Sequence, residues 1–185
     1  MKETGADHVI FVPTKQTYIR NTQHKEFAFS DEERLSMLET IARDSHWMIV
    51  SRYEIEAEKQ PRTYETLCHY RDEGFDCSLL FGSDKLPELE TVWKHVDRIC
   101  QEFGIVCMKR SDDAVEELLE NDAYLKTIRQ YIRIIETPVQ TRHVSSTAIR
   151  RSLAQMIDLY ADIKQSLPPQ LHGMILGYVE KGEHE

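Results

Sequence analysis

The chain has 185 residues, 41% of them hydrophobic and 30% charged, a balance typical of one compact globular domain. Its formal net charge of −9 argues against a protein that holds nucleic acid on a general basic surface. No apolar run approaches the roughly 20 residues that span a bilayer, and residues 1–4 do not open a signal peptide, so we expect a cytoplasmic protein without a membrane partner.

Short apolar runs, several of them stopped by Pro or Gly, predict the strands of the chain. The first run ends at Pro13, and the polar stretch through residues 22–25 after it is expected to be a loop. The predicted strands cover residues 8–12, 47–50 with an extension towards Ile55, 77–81, 105–108 and 132–135.

Helical spacing of apolar residues, together with capping residues, predicts the helices. Ser30 followed by Glu33 is a capping-box pattern. Thr63 is the natural N-cap of a helix that Gly74 ends. The predicted helices cover residues 30–44, 63–73, 86–90, 92–103 and 112–129, and two more open at Ser145 and after Pro169.

Strands that alternate with helices favour parallel pairing, because a parallel connection needs a crossover long enough to hold a helix. We therefore expect an α/β fold with a doubly wound, mostly parallel, Rossmann-like sheet, in a single domain over residues 1–185. Sheets of this kind bind ligands beyond the carboxyl ends of their strands. The residues just after each strand are thus the candidate site residues.

Hydroxyl residues and an arginine follow the last predicted strand. Ser145, Ser146 and Thr147 stand where they can cap a helix whose free backbone amides face an anion. Arg150 lies one turn further on, where its guanidinium suits a polyphosphate. The alternative interpretation is an ordinary cap followed by solvated arginines.

Two further segments have residues suited to a nucleotide. Gly82 at a strand end permits close backbone approach, and Asp84 is suited to accept hydrogen bonds from a ribose or to cap the next helix. Trp93 is suited to stack on a planar heterocycle, although most tryptophans are packing residues. Arg62 is placed to meet a carboxylate or phosphate, and the alternative interpretation is that Thr63 with Thr66 simply begins a helix.

Several common chemistries lack their motifs. The sequence contains no G-x-S-x-G, no G-x-x-x-x-G-K-[ST] and no H-E-x-x-H. The four cysteines show no C-x-x-C spacing and are interpreted as reduced residues that fill core space. No metal site is predicted from these patterns.

Taken in order, the segments resemble bacterial nicotinate-mononucleotide adenylyltransferases of the nucleotidyltransferase α/β superfamily. Residues 9–14, followed by His24 and Lys25, look like that family's second strand and substrate loop. The helix that begins at Ser30 is similar to its S-x-x-x-R-x-x-M helix, with Arg34 and Met37 at the matching positions.

The remaining motifs extend the resemblance over nearly the whole chain. Residues 62–67 are similar to Y-T-x-D-T-L, with Arg62 in place of the tyrosine and Glu65 in place of the aspartate. Residues 81–84 with Trp93 resemble the family's G-x-D strand end and ring-stacking tryptophan. Residues 144–150 are similar to the phosphate-binding motif I-S-S-T-x-I-R.

One motif of the family does not occur. The family opens with a strand that carries G-G-x-F-D-P-x-H-x-G-H, and the 185 residues contain no H-x-G-H. Residues 1–7 look instead like the end of the family's first helix, so about 30 residues, one strand–turn–helix unit, are expected to be missing. We therefore assign no catalytic residues, and turnover by the chain as given is in doubt.

Two explanations for the missing motif follow. Met1 is an internal methionine of a complete enzyme, or the chain is a fragment or a decayed relative. The first is favoured, because the other binding motifs are intact. Loss of the family's first strand, which lies in the middle of its sheet, is expected to expose unpaired strand edges.

The resemblance implies transfer of the adenylyl group of ATP to nicotinate or nicotinamide mononucleotide, with Mg²⁺ as the cofactor. The implied roles are ATP phosphate binding by Ser145, Ser146, Thr147 and Arg150, adenosine binding by Gly82 and Asp84, and pyridine nucleotide binding by His24, Lys25, Arg62, Thr63, Tyr64 and Trp93. Another adenylyl- or cytidylyltransferase, such as a pantetheine-phosphate one, is the first alternative, and a silent nucleotide-binding module is the second. The choice of acid or amide and the oligomeric state, a homo-oligomer included, stay open.

Overall fold

The computed structural model of the chain describes residues 4–21, 29–109, 113–137 and 166–182. Contacts divide the chain into two compact units. We name them the central unit, which comprises Met1–Gly5 and Pro61–Arg142, and the flanking unit, which comprises Ala6–Gln60 and His143–Glu185. The single domain expected from the sequence stays a prediction.

The flanking unit contains a pair of parallel strands, in which β1 (Val9–Phe11) lies beside β2 (Met48–Val50). Both strands lie where the apolar runs predict them. The helices described in this unit are α1 (Gln16–Asn21), α2 (Asp31–Ala42), α3 (Tyr53–Glu56) and α8 (Pro169–Gly182). The short helix α1 was not predicted from the sequence.

Helix α2 begins with the predicted capping box. The backbone amide of Glu33 donates to Ser30 Oγ at 3.2 Å, and the amide of Ser30 donates to Glu33 Oε2 at 2.7 Å. Two backbone amides that no helical carbonyl can satisfy thus find acceptors. Leu171 and Ile175 of α8 pack on Met37 and Ile41 of α2, so the apolar faces of these helices are buried against each other.

The central unit contains three parallel strands in the order β3–β4–β5, namely β3 (Leu79–Gly82), β4 (Ile105–Lys109) and β5 (Ile132–Glu136). Their register places Leu79 opposite Ile105 and Ile105 opposite Ile132. Every strand pair among the described residues is parallel, which confirms the expected α/β class with parallel sheets.

Helices cover the sheet of the central unit. They are α4 (Thr63–Asp72), a first 3-10 helix (Ser83–Glu88), α5 (Val96–Glu102), α6 (Val115–Asn121), α7 (Ala123–Ile128) and a second 3-10 helix (Arg129–Tyr131). Their most deeply buried side chains join the inner side chains of the strands in one core, which includes Leu86, Leu89, Ile99, Cys100, Ile105, Cys107, Val115, Leu119 and Leu125.

Several predicted boundaries were wrong. The second strand does not extend towards Ile55, because the chain turns into α3 after Ser51, whose hydroxyl accepts the amide of Tyr53 at 3.1 Å. The predicted helix over residues 112–129 is two helices, because Asp122 has extended backbone angles and caps α7 by accepting the amide of Leu125.

Two helix starts also differ from the prediction. Arg62, with extended backbone angles, is the N-cap of α4, and Thr63 is the first helical residue rather than the cap. Helix α5 begins at Val96 and not at residue 92, because His95 has a left-handed backbone conformation with φ of 61°. In the part of the chain described above, no helix has the length and apolar character needed to cross a membrane.

Candidate functional site

A cleft in the central unit lies where the carboxyl ends of β3 and β4 meet. The strands are parallel and Gly82 stands opposite Met108, so the residues that follow both strands are at the same edge of the sheet. The cleft has a volume of about 430 Å³. Its lining residues are Ser83, Asp84, Pro87, Asp113, Ala114, Val115 and Leu118. The sequence predicted a site at this edge and named Asp84 within it.

The position of Asp84 favours a glycine at the end of β3. A Cβ atom added to Gly82 would lie 2.7 Å from Asp84 Oδ1, a separation that real Cβ atoms do not show. The backbone φ of Gly82 is −79°, which any residue adopts, so close approach and not backbone freedom explains the glycine. The carboxylate of Asp84 therefore lies back over Gly82, at the end of the strand.

The Asp84 carboxylate faces solvent at the edge of the cleft. Its side chain is 56% exposed, and Lys85 Nζ lies 3.6 Å from its Oδ2. Lys85 also contacts Glu88 at 3.1 Å, so its charge is shared between two acids. An exposed ion pair of this kind contributes little energy, and the carboxylate remains accessible to a ligand.

The first 3-10 helix, which carries Asp84, is attached to the unit at both ends. At its start, Ser83 is 5% exposed and its hydroxyl donates a hydrogen bond to Asp113 Oδ2. At its other end, Leu86 is fully buried and Leu89 just beyond it is 1% exposed. Asp84 therefore lies between the hydrogen bond of Ser83 and the buried side chain of Leu86. Asp113, which the sequence did not single out, belongs to the site.

The described part of the cleft is acidic. Burial, together with the nearby carboxylates of Asp113, Asp84 and Glu116, raises the pKa of Cys107 on β4 to about 11. The nearest cation of β4, Lys109, donates to Glu116 at 2.9 Å, which raises the pKa of the lysine and lowers that of Glu116. Such a surface suits hydroxyl and amino donors better than it suits phosphates.

The start of α4 lies in the same unit as the cleft. The backbone amide of Arg62 donates to Glu65 Oε2 at 2.6 Å, and Thr66 Oγ1 donates to the carbonyl of Arg62 at 3.4 Å. Glu65 and Thr66 thus fix the helix start, while the Arg62 side chain is exposed and Thr63 is half-buried. The first-turn amides of a helix favour a negatively charged or carbonyl ligand.

Tyr64 is a packing residue of the central unit. Its side chain is 9% exposed, its hydroxyl contacts both Glu102 oxygens at 3.0 Å, and the Arg98 guanidinium lies 4.3 Å from its ring centroid. A hydrogen bond with Cys68 and burial raise its pKa to about 12. The pyridine-binding role predicted for Tyr64 stays a prediction from the sequence.

Trp93 connects the end of β3 with the segment before α5. Its ring centroid lies 5.7 Å from that of Phe81, the residue before Gly82, and the two rings are tilted by 55°. Two residues further on, the ring of His95 lies 5.6 Å from the ring of Tyr64 at the start of α4. The structure thus brings the Trp93 segment close to both β3 and α4. No local sequence signal indicated the role of His95 in this turn.

The comparison with protein families identifies the fold that contains this cleft. A family model described as cytidylyltransferase-like matches residues 1–152, which is most of the chain. The chain belongs to the cytidylyltransferase-like family. The structure has the α/β fold with parallel sheets that was expected from the sequence, and the cleft lies at the strand ends where such sheets bind ligands.

Similar cytidylyltransferase-like proteins include bacterial and plant relatives. A probable nicotinate-nucleotide adenylyltransferase of Clostridium botulinum (strain Eklund 17B / Type B) is 28% identical over 154 residues, which cover 82% of this chain and 74% of the relative. A nicotinamide/nicotinic acid mononucleotide adenylyltransferase of Arabidopsis thaliana is 26% identical over 151 residues, which cover 74% of this chain and 63% of the relative.

A solved structure shares the fold. The nicotinic acid mononucleotide adenylyltransferase of Plasmodium falciparum, complexed with APC, superposes with a TM-score of 0.67 at 16% identity. The match covers 93% of this chain and 81% of the other chain.

The other predicted site residues of this cytidylyltransferase-like chain lie outside the described residues. They are His24 and Lys25 in the predicted substrate loop, and Ser145, Ser146, Thr147 and Arg150 in the predicted phosphate-binding motif, with the helix predicted to open there. Their roles stay predictions from the sequence.

Proposed function

We propose that this chain acts in the transfer of the adenylyl group of ATP to nicotinate or nicotinamide mononucleotide, a step that forms a dinucleotide for NAD biosynthesis and releases pyrophosphate. The observation that carries the proposal is the Asp84 carboxylate folded back over Gly82 at the edge of the cleft. It occurs in a cytidylyltransferase-like chain whose similar relatives include proteins named as adenylyltransferases of pyridine mononucleotides.

The cleft suits the nucleoside part of ATP. Asp84 presents carboxylate oxygens that accept hydrogen bonds from ribose hydroxyls. Pro87, Val115 and Leu118 supply apolar surface against which a base can lie, and a volume of about 430 Å³ is within the range of small-molecule sites. The acidic surroundings disfavour the phosphates at this point, so we assign the cleft to adenosine.

The Trp93 segment and the start of α4 suit the pyridine mononucleotide. Trp93 offers a planar surface for the pyridine ring, and its contact with Phe81 fixes the position of its own ring. Thr63 is the first helical residue of α4, where backbone amides can donate to the carboxylate or carboxamide of the pyridine. Exposed Arg62 lies beside it as a cation for the nucleotide.

The reaction needs no covalent intermediate on the protein. A phosphate oxygen of the mononucleotide forms a bond to the α-phosphorus of ATP, and the bond between that phosphorus and the bridging oxygen breaks, so pyrophosphate leaves with the electron pair. Catalysis then depends on holding both substrates in line and on stabilising charge. The phosphate-binding role of Ser145, Ser146, Thr147 and Arg150 belongs to this step and rests on the sequence alone.

Mg²⁺ is proposed as part of the ATP complex. In the described ranges, no group of three or more His, Cys, Asp or Glu side chains is arranged to hold a metal ion. Mg²⁺ is usually bound through substrate phosphates with one or two carboxylates, and Asp84 is assigned to the ribose rather than to the ion. The ion would neutralise the polyphosphate charge. A cytoplasmic location agrees with a reaction on ATP.

The test is a transfer assay on the full chain with Mg²⁺ present. We expect pyrophosphate and a dinucleotide from ATP with nicotinate or nicotinamide mononucleotide, and little product with CTP or with phosphopantetheine. Product formed only with phosphopantetheine or CTP would show that the chain is another transferase of the superfamily. Binding of ATP without transfer to any acceptor, even when the family's segment with H-x-G-H is added ahead of residue 1, would instead support a silent nucleotide-binding module.

Asp84→Asn tests the nucleoside assignment. The amide keeps the shape of the side chain but removes the charge of the acceptor, so we expect ATP affinity, measured by isothermal titration calorimetry, to fall about tenfold. Asp76→Asn, at an exposed position outside the cleft, is the matched control and should leave ATP affinity unchanged. Equal affinities of Asp84→Asn and the parent chain would refute the assignment.

A further inference from the structure

The hydrogen bond between Ser83 and Asp113 connects two parts of the chain that the sequence keeps apart. Ser83 follows β3 and is the first residue of the first 3-10 helix. Asp113 lies 30 residues later in the chain, between β4 and α6. Ser83 is a buried polar residue, so its hydroxyl needs a partner inside the protein. The Asp113 carboxylate, which lines the cleft, is a partner of this hydroxyl.

Asp113 is itself fixed by its surroundings. Its carbonyl accepts the backbone amide of Val115 at 2.8 Å, and Val115, the first residue of α6, is 2% exposed. Leu119, one turn later, is 1% exposed in the core. The carboxylate of Asp113 is therefore attached to a helix that core packing holds in place, and it can serve as an anchor for the segment that carries Asp84.

Asp84 has no comparable anchor of its own. Among the residues that the structure describes, its side chain forms an exposed ion pair with Lys85, which is too weak to fix a side chain. Its position depends instead on its neighbours in the chain, namely Gly82, which leaves room for the carboxylate, and Ser83, which is tied to Asp113. Loss of the Ser83–Asp113 bond loosens the start of the 3-10 helix, while Leu86 keeps its far end buried.

We propose that Asp113, through its hydrogen bond with Ser83, is a positioning residue that sets the Asp84 carboxylate for the ribose of ATP. This inference rests on the proposed function. Asp113 acts through Ser83 and does not need to touch the substrate. A charge on residue 113 is not required, because any acceptor of the Ser83 hydroxyl at this position keeps the 3-10 helix in place.

The test compares ATP with 2′,3′-dideoxy-ATP, which lacks the hydroxyls that Asp84 would accept. Calorimetry on the full chain should give a parent preference for ATP of about tenfold. Asp113→Ala should weaken the binding of ATP alone and so reduce the ratio of the two affinities to near one. A merely structural defect would weaken the binding of both nucleotides equally and leave the ratio of their affinities unchanged. Asp113→Asn, whose amide oxygen still accepts the Ser83 hydroxyl, should restore most of the preference.

Two control variants complete the test. Glu117→Ala removes an exposed carboxylate from α6 and should keep the parental ratio. In an Asp84→Asn background, Asp113→Ala should have no further effect on the ratio, because its influence passes through Asp84. Thermal unfolding of each variant establishes that it is folded at the assay temperature.

The outcomes separate the two proposals. If the parent chain prefers ATP and Asp113→Ala keeps that preference, the positioning role is wrong and the proposed function stands. If Asp113→Asn loses the preference for ATP as fully as Asp113→Ala, the charge of Asp113 matters. In that case too, positioning through the hydrogen bond with Ser83 is wrong. If the parent chain binds neither nucleotide, both proposals fall together.

Discussion

Gly82→Ala gives the sharpest test of the geometry at the end of β3. The new Cβ atom would lie 2.7 Å from Asp84 Oδ1, whereas carbon–oxygen contacts in proteins are normally about 3.3 Å or longer. The carboxylate must therefore move by at least about 0.6 Å. Because the side chain is 56% exposed, it can move into solvent. The free energy of unfolding should consequently change by no more than about 0.5 kcal/mol.

The effect on ligand binding should be larger than the effect on stability. A hydrogen bond to a charged group contributes about 1.5–3 kcal/mol, so its loss should weaken ATP binding roughly 10- to 100-fold. Calorimetric titration with ATP and urea unfolding measure the two quantities separately. Gly173→Ala is the matched control, because a Cβ added there in α8 meets nothing within 4 Å.

The control should stabilise the chain by about 0.4–1 kcal/mol through its helical position and leave ATP binding unchanged. Parental ATP affinity in a folded Gly82→Ala chain would show that the position of Asp84 does not matter for the nucleotide. A loss of several kcal/mol in stability would show instead that the Asp84 side chain cannot leave its place.

Two further predictions concern stability. Ser30→Ala removes the acceptor of the Glu33 amide and should cost about 1 kcal/mol in urea unfolding, whereas Ser36→Ala, on the exposed surface of the same helix, should cost little. Burial raises the pKa of Cys107 from 9.0 to about 11. The stability that this group contributes is complete below pH 9 and is lost as the pH rises towards 11, because the unfolded chain releases the proton first. Cys107→Ala should reduce this loss in unfolding measured from pH 8 to 11, and an unchanged pH dependence would contradict the assignment.

Local signals in the sequence predicted much of the fold. Ser30 with Glu33, and Gly74 after α4, mark helix ends by contacts that span only a few residues, and both were predicted where the structure has them. Asp122 carried a similar signal as the N-cap of α7, but the continuous helical spacing around it favoured one long helix. The hydrogen bond from the Leu125 amide to Asp122 thus breaks the helix despite the periodic spacing around it.

The errors arose where tertiary contacts decide the conformation. Tyr53 and Ile55 continue an alternating pattern after β2, yet Glu54 is buried and accepts the side-chain amide of Gln60 at 2.5 Å, which favours the turn into α3. The left-handed backbone of His95 is another case, since histidine adopts this conformation only occasionally and no neighbouring residue demands it.

The candidate site shows the same division. Gly82 and Asp84 were predicted together because they are close in sequence and follow a strand. The bond from Ser83 to Asp113 and the contact of Tyr64 with Glu102 join residues that are far apart in sequence, so no local pattern indicates them. The sequence thus predicts which residues follow a strand, but not which distant residues hold them in position.

The parallel order of β3, β4 and β5 has a consequence for how the central unit forms. Leu79 pairs with Ile105, and Ile105 with Ile132, so no strand can pair by a simple hairpin with its neighbour in the chain. Each pairing must close a long loop before it gains contact energy, and such non-local pairing slows folding. During synthesis, β3 must therefore wait for β5 before the sheet is complete. Until then, the exposed Leu80 side chain of β3 can contact other chains and promote aggregation. Slow expression at low temperature should therefore increase the yield of folded protein.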